Sequence, residues 1–127
     1  MPLKYRLIPR GNPAKPEAPK KFYATVVTKG EVTQRQLAKD IAAISTVSEV
    51  DTMAMLEAML QIIPKHLAEG NIVRLGDFGS FSIQITSDGA ETEAAFNATL
   101  MDTPKIVFRP GQETKNILNT IKFEKEA

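Results

Sequence analysis

The sequence predicts an α+β fold: two N-terminal helices, a β-hairpin that grows into a three-stranded sheet with an arm, and a short C-terminal helix. An extra strand pair precedes them. Three observations carry this prediction. Hydrophobic spacing changes from a period of two to a period near 3.6 at about residue 33, and returns to two at about residue 72. Two helix-start signatures occur, Thr33 with Gln36 and Ser48 with Asp51. Glycine and proline punctuate the chain at Gly70, Gly76, Gly79 and Pro110-Gly111. The expected organisation is a β extension with a proline-rich loop over residues 1–30, then one domain over 31–127.

The elements follow in chain order. Leu3, Tyr5 and Leu7 alternate with Lys4, Arg6 and Ile8, a strand pattern. Residues 9–19 hold four prolines, so they read as an extended loop that neither helix nor central strand can absorb. Strand character resumes over residues 20–28 through Phe22, Tyr23, Thr25, Val26 and Val27. Behind Thr33, the residues Leu37, Ala38, Ile41, Ala42 and Ile44 form a helical stripe to about Ser45. The second helix carries Met53, Leu56, Leu60, Ile63 and Leu67 on one face and Met55, Met59 and Ile62 on a neighbouring one. That arc is wider than a helix lying on one surface needs, so these residues are expected to form a dimer core. Pro64 should kink this helix and Gly70 should end it.

Ile72, Val73 and Leu75 predict a strand, Gly76-Asp77-Phe78-Gly79 a turn, and Phe81, Ile83 and Ile85 a half-buried strand. Residues 86–104 have weak β signals and little expected regular structure. Residues 105–109 read as a further strand with Ile106 and Phe108 on one side. Pro110-Gly111 breaks it, and a closing helix is predicted over residues 112–123 from Ile117, Leu118 and Ile121.

The chemistry is sparse. Cysteine is absent, which removes disulfides, thiolate nucleophiles and cysteine zinc sites. His66 is the only histidine and has no triad partner in view. No metal-ligand spacing and no phosphate-binding glycine loop occurs, so neither cofactor nor metal is expected. A small hydrolase is the least favoured class. Neither a membrane span nor a secretory signal is expected, since no apolar run nears about 18 residues and residues 1–10 scatter their charges.

Net charge is only +1, but its distribution is uneven. Residues 1–30 hold seven basic and one acidic residue; residues 86–104 hold four acidic and no basic ones. Attraction for phosphate must therefore come from the ends of the chain and from wherever the fold gathers them.

Two segments resemble the HU/IHF family of bacterial histone-like proteins. Gly70-Asn71-Ile72-Val73-Arg74-Leu75-Gly76-Asp77-Phe78-Gly79-Ser80-Phe81 is similar to the family stretch in which a strand leads into Gly-Phe-Gly-Thr-Phe. Ile106-Val107-Phe108-Arg109-Pro110-Gly111 with Lys115 is similar to its Phe-Lys-Pro-Gly-Lys segment. The extension before the first helix resembles that of an HU-related subgroup from Bacteroides-type bacteria. The resemblance covers about residues 31–123 and implies a homodimer that binds double-stranded DNA non-specifically, bending or compacting it in the cytoplasmic nucleoid. It assigns hairpin roles to Gly76, Phe78, Gly79 and Phe81, and phosphate contacts to Arg74, Lys105 and Arg109.

Two departures bear on the mode of contact. The family's basic arm is here the acidic segment 86–104, and the Arg-Asn-Pro of the arm tip is missing from its usual place. Arg10-Gly11-Asn12-Pro13 is similar to that tip, in a basic loop with Lys15, Lys20 and Lys21, so Arg10, Asn12, Pro13 and these lysines are further DNA-contact candidates. The alternative is an HU-like dimer that has lost DNA binding and uses its added strands to meet another protein.

Overall fold

A computed structural model describes residues 2–127. The chain forms two units, one running up to Thr33 and taking in Ile117–Ala127, the other comprising Gln34–Asn116.

The first unit is a three-stranded sheet ordered β2-β1-β6, from β1 (Leu3–Arg10), β2 (Lys21–Val26) and β6 (Phe123–Lys125). Strands β1 and β2 are antiparallel, with Tyr5 opposite Val26 and Arg10 opposite Lys21. Strand β6 lies parallel to the other edge of β1, with Leu3 beside Phe123. Backbone bonds from Leu3 N–H to Lys122 O (2.7 Å) and from Glu126 N–H to Tyr5 O (2.8 Å) hold it there.

This pairing corrects the single closing helix predicted over residues 112–123. The chain instead forms α3 (Gln112–Asn116), a 3-10 turn (Ile117–Thr120) and then β6. Asn116, Asn119 and Thr120 are weak helix formers. The Thr120 hydroxyl donates to Ile117 O at 2.7 Å, a local bond that competes with helix propagation. An open edge on β1 then offers the residues that follow a backbone ladder.

The second unit begins with α1 (Gln34–Ala43) and α2 (Glu49–Ala68), which pack on each other. Ser48 caps α2: its hydroxyl accepts from Asp51 N–H at 3.1 Å, as the sequence predicted. Gln34 Nε2 donates to Glu57 Oε1 at 2.9 Å and ties the start of α1 to α2. Helix α2 runs through Pro64 to Ala68, although Pro64 offers no N–H to the Leu60 carbonyl.

A second sheet, ordered β3-β4-β5, completes the unit from β3 (Val73–Arg74), β4 (Gly79–Gln84) and β5 (Lys105–Pro110). Strand β3 is shorter than residues 72–75 predicted, because a 3-10 turn at Gly76–Phe78 takes the chain out of the ladder. Helix α2 runs against β3 and β4. The segment between β4 and β5 is closed by a short ladder at its base. Asp88 N–H bonds Leu100 O at 2.8 Å, Asp102 N–H bonds Thr86 O at 2.9 Å, and Ser87 bridges Met101.

Among the described residues, the buried side chains are those of Ala38, Leu67 and Thr52, and Gly79 is buried with them. Of the five residues expected to form a dimer core, Leu67 is buried, Met53, Leu56 and Ile63 are half-buried, and Leu60 is 54% exposed. On the neighbouring face of α2, Met55, Met59 and Ile62 are exposed.

Candidate functional site

Alternation along the β3-β4-β5 sheet sorts its side chains by chemistry. Val73, Phe81 and Phe108 form one cross-strand row, and Ile83 lies opposite Ile106 on the same face. The other face carries Arg74, Ser80 and Arg109 in a single row, because Ser80 of β4 is opposite Arg74 on one side and Arg109 on the other. Lys105 is opposite Gln84 on that same face, four residues along β5 from Arg109 and so about 13 Å away. All three cations are exposed, and none forms an ion pair among the described residues.

The hairpin glycines and aromatic rings shape this sheet from beneath. Gly79 has φ +149°, and a Cβ there would lie 2.5 Å from Arg109 O and 2.7 Å from the Phe108 ring. The absence of that carbon lets β5 close on β4 beside Arg109. Phe108 packs between Phe81 and Phe78, with ring centroids 4.9 and 5.4 Å away, both tilted. Phe81 is half-buried, whereas Phe78 is 52% exposed within the single chain. Gly76 begins the 3-10 turn. The turn is clamped to the start of α3, since Gly111 N–H (2.9 Å) and the Thr114 hydroxyl (2.6 Å) both donate to Phe78 O.

Ser80 and Ser82 were not singled out from the sequence as site residues. Their hydroxyls stand on the cationic face as neutral donors of the kind that contacts phosphate oxygens. The alternation Ser80, Ser82, Gln84 was the signal. Its meaning appears only when register puts Ser80 between two arginines.

The remaining candidates lie in the first unit, at the end of the β1-β2 hairpin. Arg10 and Lys21 face each other across the last pair of the ladder, with Lys20 beside them. Asn12 shapes the loop: its Oδ1 accepts from Ala14 N–H at 2.9 Å, and its carbonyl accepts from Lys15 N–H at 3.0 Å. Pro13 sits inside that turn. Residues 86–104 bring no cation, and the carboxylates of Asp88, Glu91, Glu93 and Asp102 are all exposed. One of them, Asp102, accepts from the Thr86 hydroxyl at 3.0 Å.

A sequence profile described as an HU domain fused to wHTH, Ig or a glycine-rich motif (HU-HIG) matches residues 1–125. The integration host factor subunit alpha of Paramagnetospirillum magneticum is 30% identical over 95 residues, covering 73% of this chain and 90% of that protein. The chain belongs to the HU/IHF family, in its HU-HIG group. The corresponding subunit of Actinobacillus succinogenes is 26% identical over 86 residues, covering 66% of this chain and 88% of that one. A crystal structure from Bacteroides vulgatus, described as that of a candidate bacterial DNA-binding protein, superposes with a TM-score of 0.63 at 14% identity. It covers 97% of this HU-HIG chain and 47% of its own, so this chain spans about half the length of that protein and shares its fold. The HU-HIG match takes in the β1-β2 hairpin as well as the helical unit, so the added strands belong to the family's pattern.

Proposed function

We propose that this chain is an architectural DNA-binding protein of the bacterial nucleoid, working as a homodimer that grips duplex phosphates without reading bases. The observation that carries the reading is the row Arg74, Ser80, Arg109, with Lys105 on the same sheet face. These cations sit on regular strands, so little ordering is needed to meet a polyanion. Among the described residues they have no acidic ion-pair partner, so no such pair must break first. Kinship with the integration host factor subunits supports the same direction.

The exposed surface supports the dimer reading. The chain exposes 10955 Å². Two self-contained globules of the units' sizes would together expose about 8,000 Å². An excess of roughly 3,000 Å² in each chain, about 6,000 Å² for a pair, leaves ample surface for the roughly 2,000–5,000 Å² in total that obligate homodimers bury. The exposed apolar residues of α2 supply the chemistry for such an interface.

Phosphate binding releases counterions, so log affinity for a random duplex should fall with log salt at about 0.9 per neutralised phosphate. Changing Arg74 and Arg109 to Ala should weaken binding by at least tenfold at low salt and flatten that slope by about 0.9 for each phosphate left without its cation. Fluorescence anisotropy at several salt concentrations measures both. The second reading, an HU-like dimer without DNA binding, draws on the acidic arm closed at its base by Thr86, Asp88 and Asp102. A wild-type chain that shifts no duplex at low salt would establish it and sink the first.

A further inference from the structure

The first unit carries a second concentration of positive charge, and its distribution is unequal. One face of the β2-β1-β6 sheet holds Lys4, Arg6, Ile8 and Arg10 from β1, Thr25, Tyr23 and Lys21 from β2, and Glu124 from β6. At the β6 end, acids answer the bases. Glu124 stands beside Lys4 in register, and Glu126 pairs with Arg6 at 3.2 Å. At the loop end the balance is lost. Arg10 is directly opposite Lys21, and Lys15 and Lys20 lie in the adjoining loop with Glu17 as its one acid. Like charges opposite each other destabilise a strand pair. A single carboxylate at either position would relieve the repulsion.

The loop is also stiff. Pro9, Pro13, Pro16 and Pro19 fix four backbone φ angles. Two successive turns close within it, Lys15 N–H to Asn12 O and Ala18 N–H to Lys15 O, each at 3.0 Å. Cations held this way meet a ligand with little loss of backbone freedom. Residues 11–19 contain no large apolar side chain, so the tip lacks the apolar centre of a protein interface. A repeating polyanion needs only the charges. Tyr23, 49% exposed on the same face two residues from Lys21, adds a ring for sugar or base edges.

We infer that the tip of the β1-β2 hairpin is a second phosphate-backbone contact for duplex DNA, made by Arg10, Lys15, Lys20 and Lys21. The inference rests on the DNA-binding reading above, but on residues of the other unit.

The test uses the full chain with Arg10, Lys15, Lys20 and Lys21 all changed to Gln, and a random-sequence duplex titrated between about 50 and 200 mM salt. Affinity at the lowest salt should fall at least tenfold, and the log–log slope should flatten by about 0.9 for each phosphate no longer neutralised. The melting temperature should hold or rise, because a like-charge pair has been relieved. Glu17→Gln should act in the opposite direction, raising affinity about twofold. If the quadruple variant keeps wild-type affinity and slope, the tip is no DNA contact; an acidic protein partner would give that result, and the role of Arg74 and Arg109 would stand. If the variant fails to fold, Glu17→Gln decides alone: raised affinity supports the inference and unchanged affinity overturns it. A wild-type chain that binds no duplex brings down both readings.

Discussion

At the residue scale, two glycines control how closely the cationic strands approach. Gly79 lies under Phe108 and the Arg109 carbonyl, and Gly111 lies against Asp77, where a Cβ would overlap the backbone carbonyl. Gly79 also needs a positive φ of +149°. Gly79→Ala therefore combines backbone strain with a steric clash that β5 can relieve only by moving away. It should cost about 3 kcal/mol or more, read as a lower urea midpoint, and should weaken DNA binding by displacing Arg109. Gly79 was legible beforehand, because glycine between two phenylalanines in a hairpin has few other uses; Gly111 was read only as a break after β5, and its approach to Asp77 needed the fold. Phe78 was less legible. Its packing against Phe108 depends on a strand pairing with residues about 30 positions away.

At the element scale, the two N-terminal helices and four of the six strands were read close to their observed bounds, and the end of the chain was not. The Ser48 hydroxyl on Asp51 N–H marks the start of α2 as the cap pattern predicted. Ser48→Ala leaves that N–H without its partner and should lower stability by about 1 kcal/mol, measured by thermal or chemical denaturation. The spacing of apolar residues carries α2 correctly past Pro64 to the stop at Gly70, since side-chain packing outweighs one missing hydrogen bond. Strand β6 escaped the sequence reading altogether. Its three residues, Phe123–Lys125, are too few for a periodic signal, and they are held by β1 rather than by their own preference. Ile117, Leu118 and Ile121 do fall at helical spacing, which is why a longer helix was expected there.

At the scale of the whole molecule, apolar side chains stay exposed in both units. Met55, Met59, Leu60 and Ile62 are 38–54% exposed along α2, and in the other unit Leu7, Phe22, Val26 and Phe123 are 44–70% exposed. A second copy of α2 is the simplest cover for the first set, since an isologous contact matches like with like. If so, the unfolding midpoint should rise with protein concentration, as mass action requires. Met59→Glu should shift sedimentation toward a single chain of 14.0 kDa and lower that midpoint. A wild-type chain that sediments as a monomer with a concentration-independent midpoint would show that α2 is covered in some other way.

Taken alone, the sequence determined what local physics determines: the Ser48 cap, the periods, the glycines of the hairpin and the family they indicate. It also located the imbalance of charge, basic before residue 30 and acidic over 86–104. Only the tertiary structure decided which charges act together. Register placed Ser80 between Arg74 and Arg109, and set Arg10 against Lys21 with no acid opposite either of them. It also brought the last strand beside the first, residues 120 positions apart. The reason is that a strand's partner is chosen by hydrogen bonding and packing across the fold, information that no window along the chain contains.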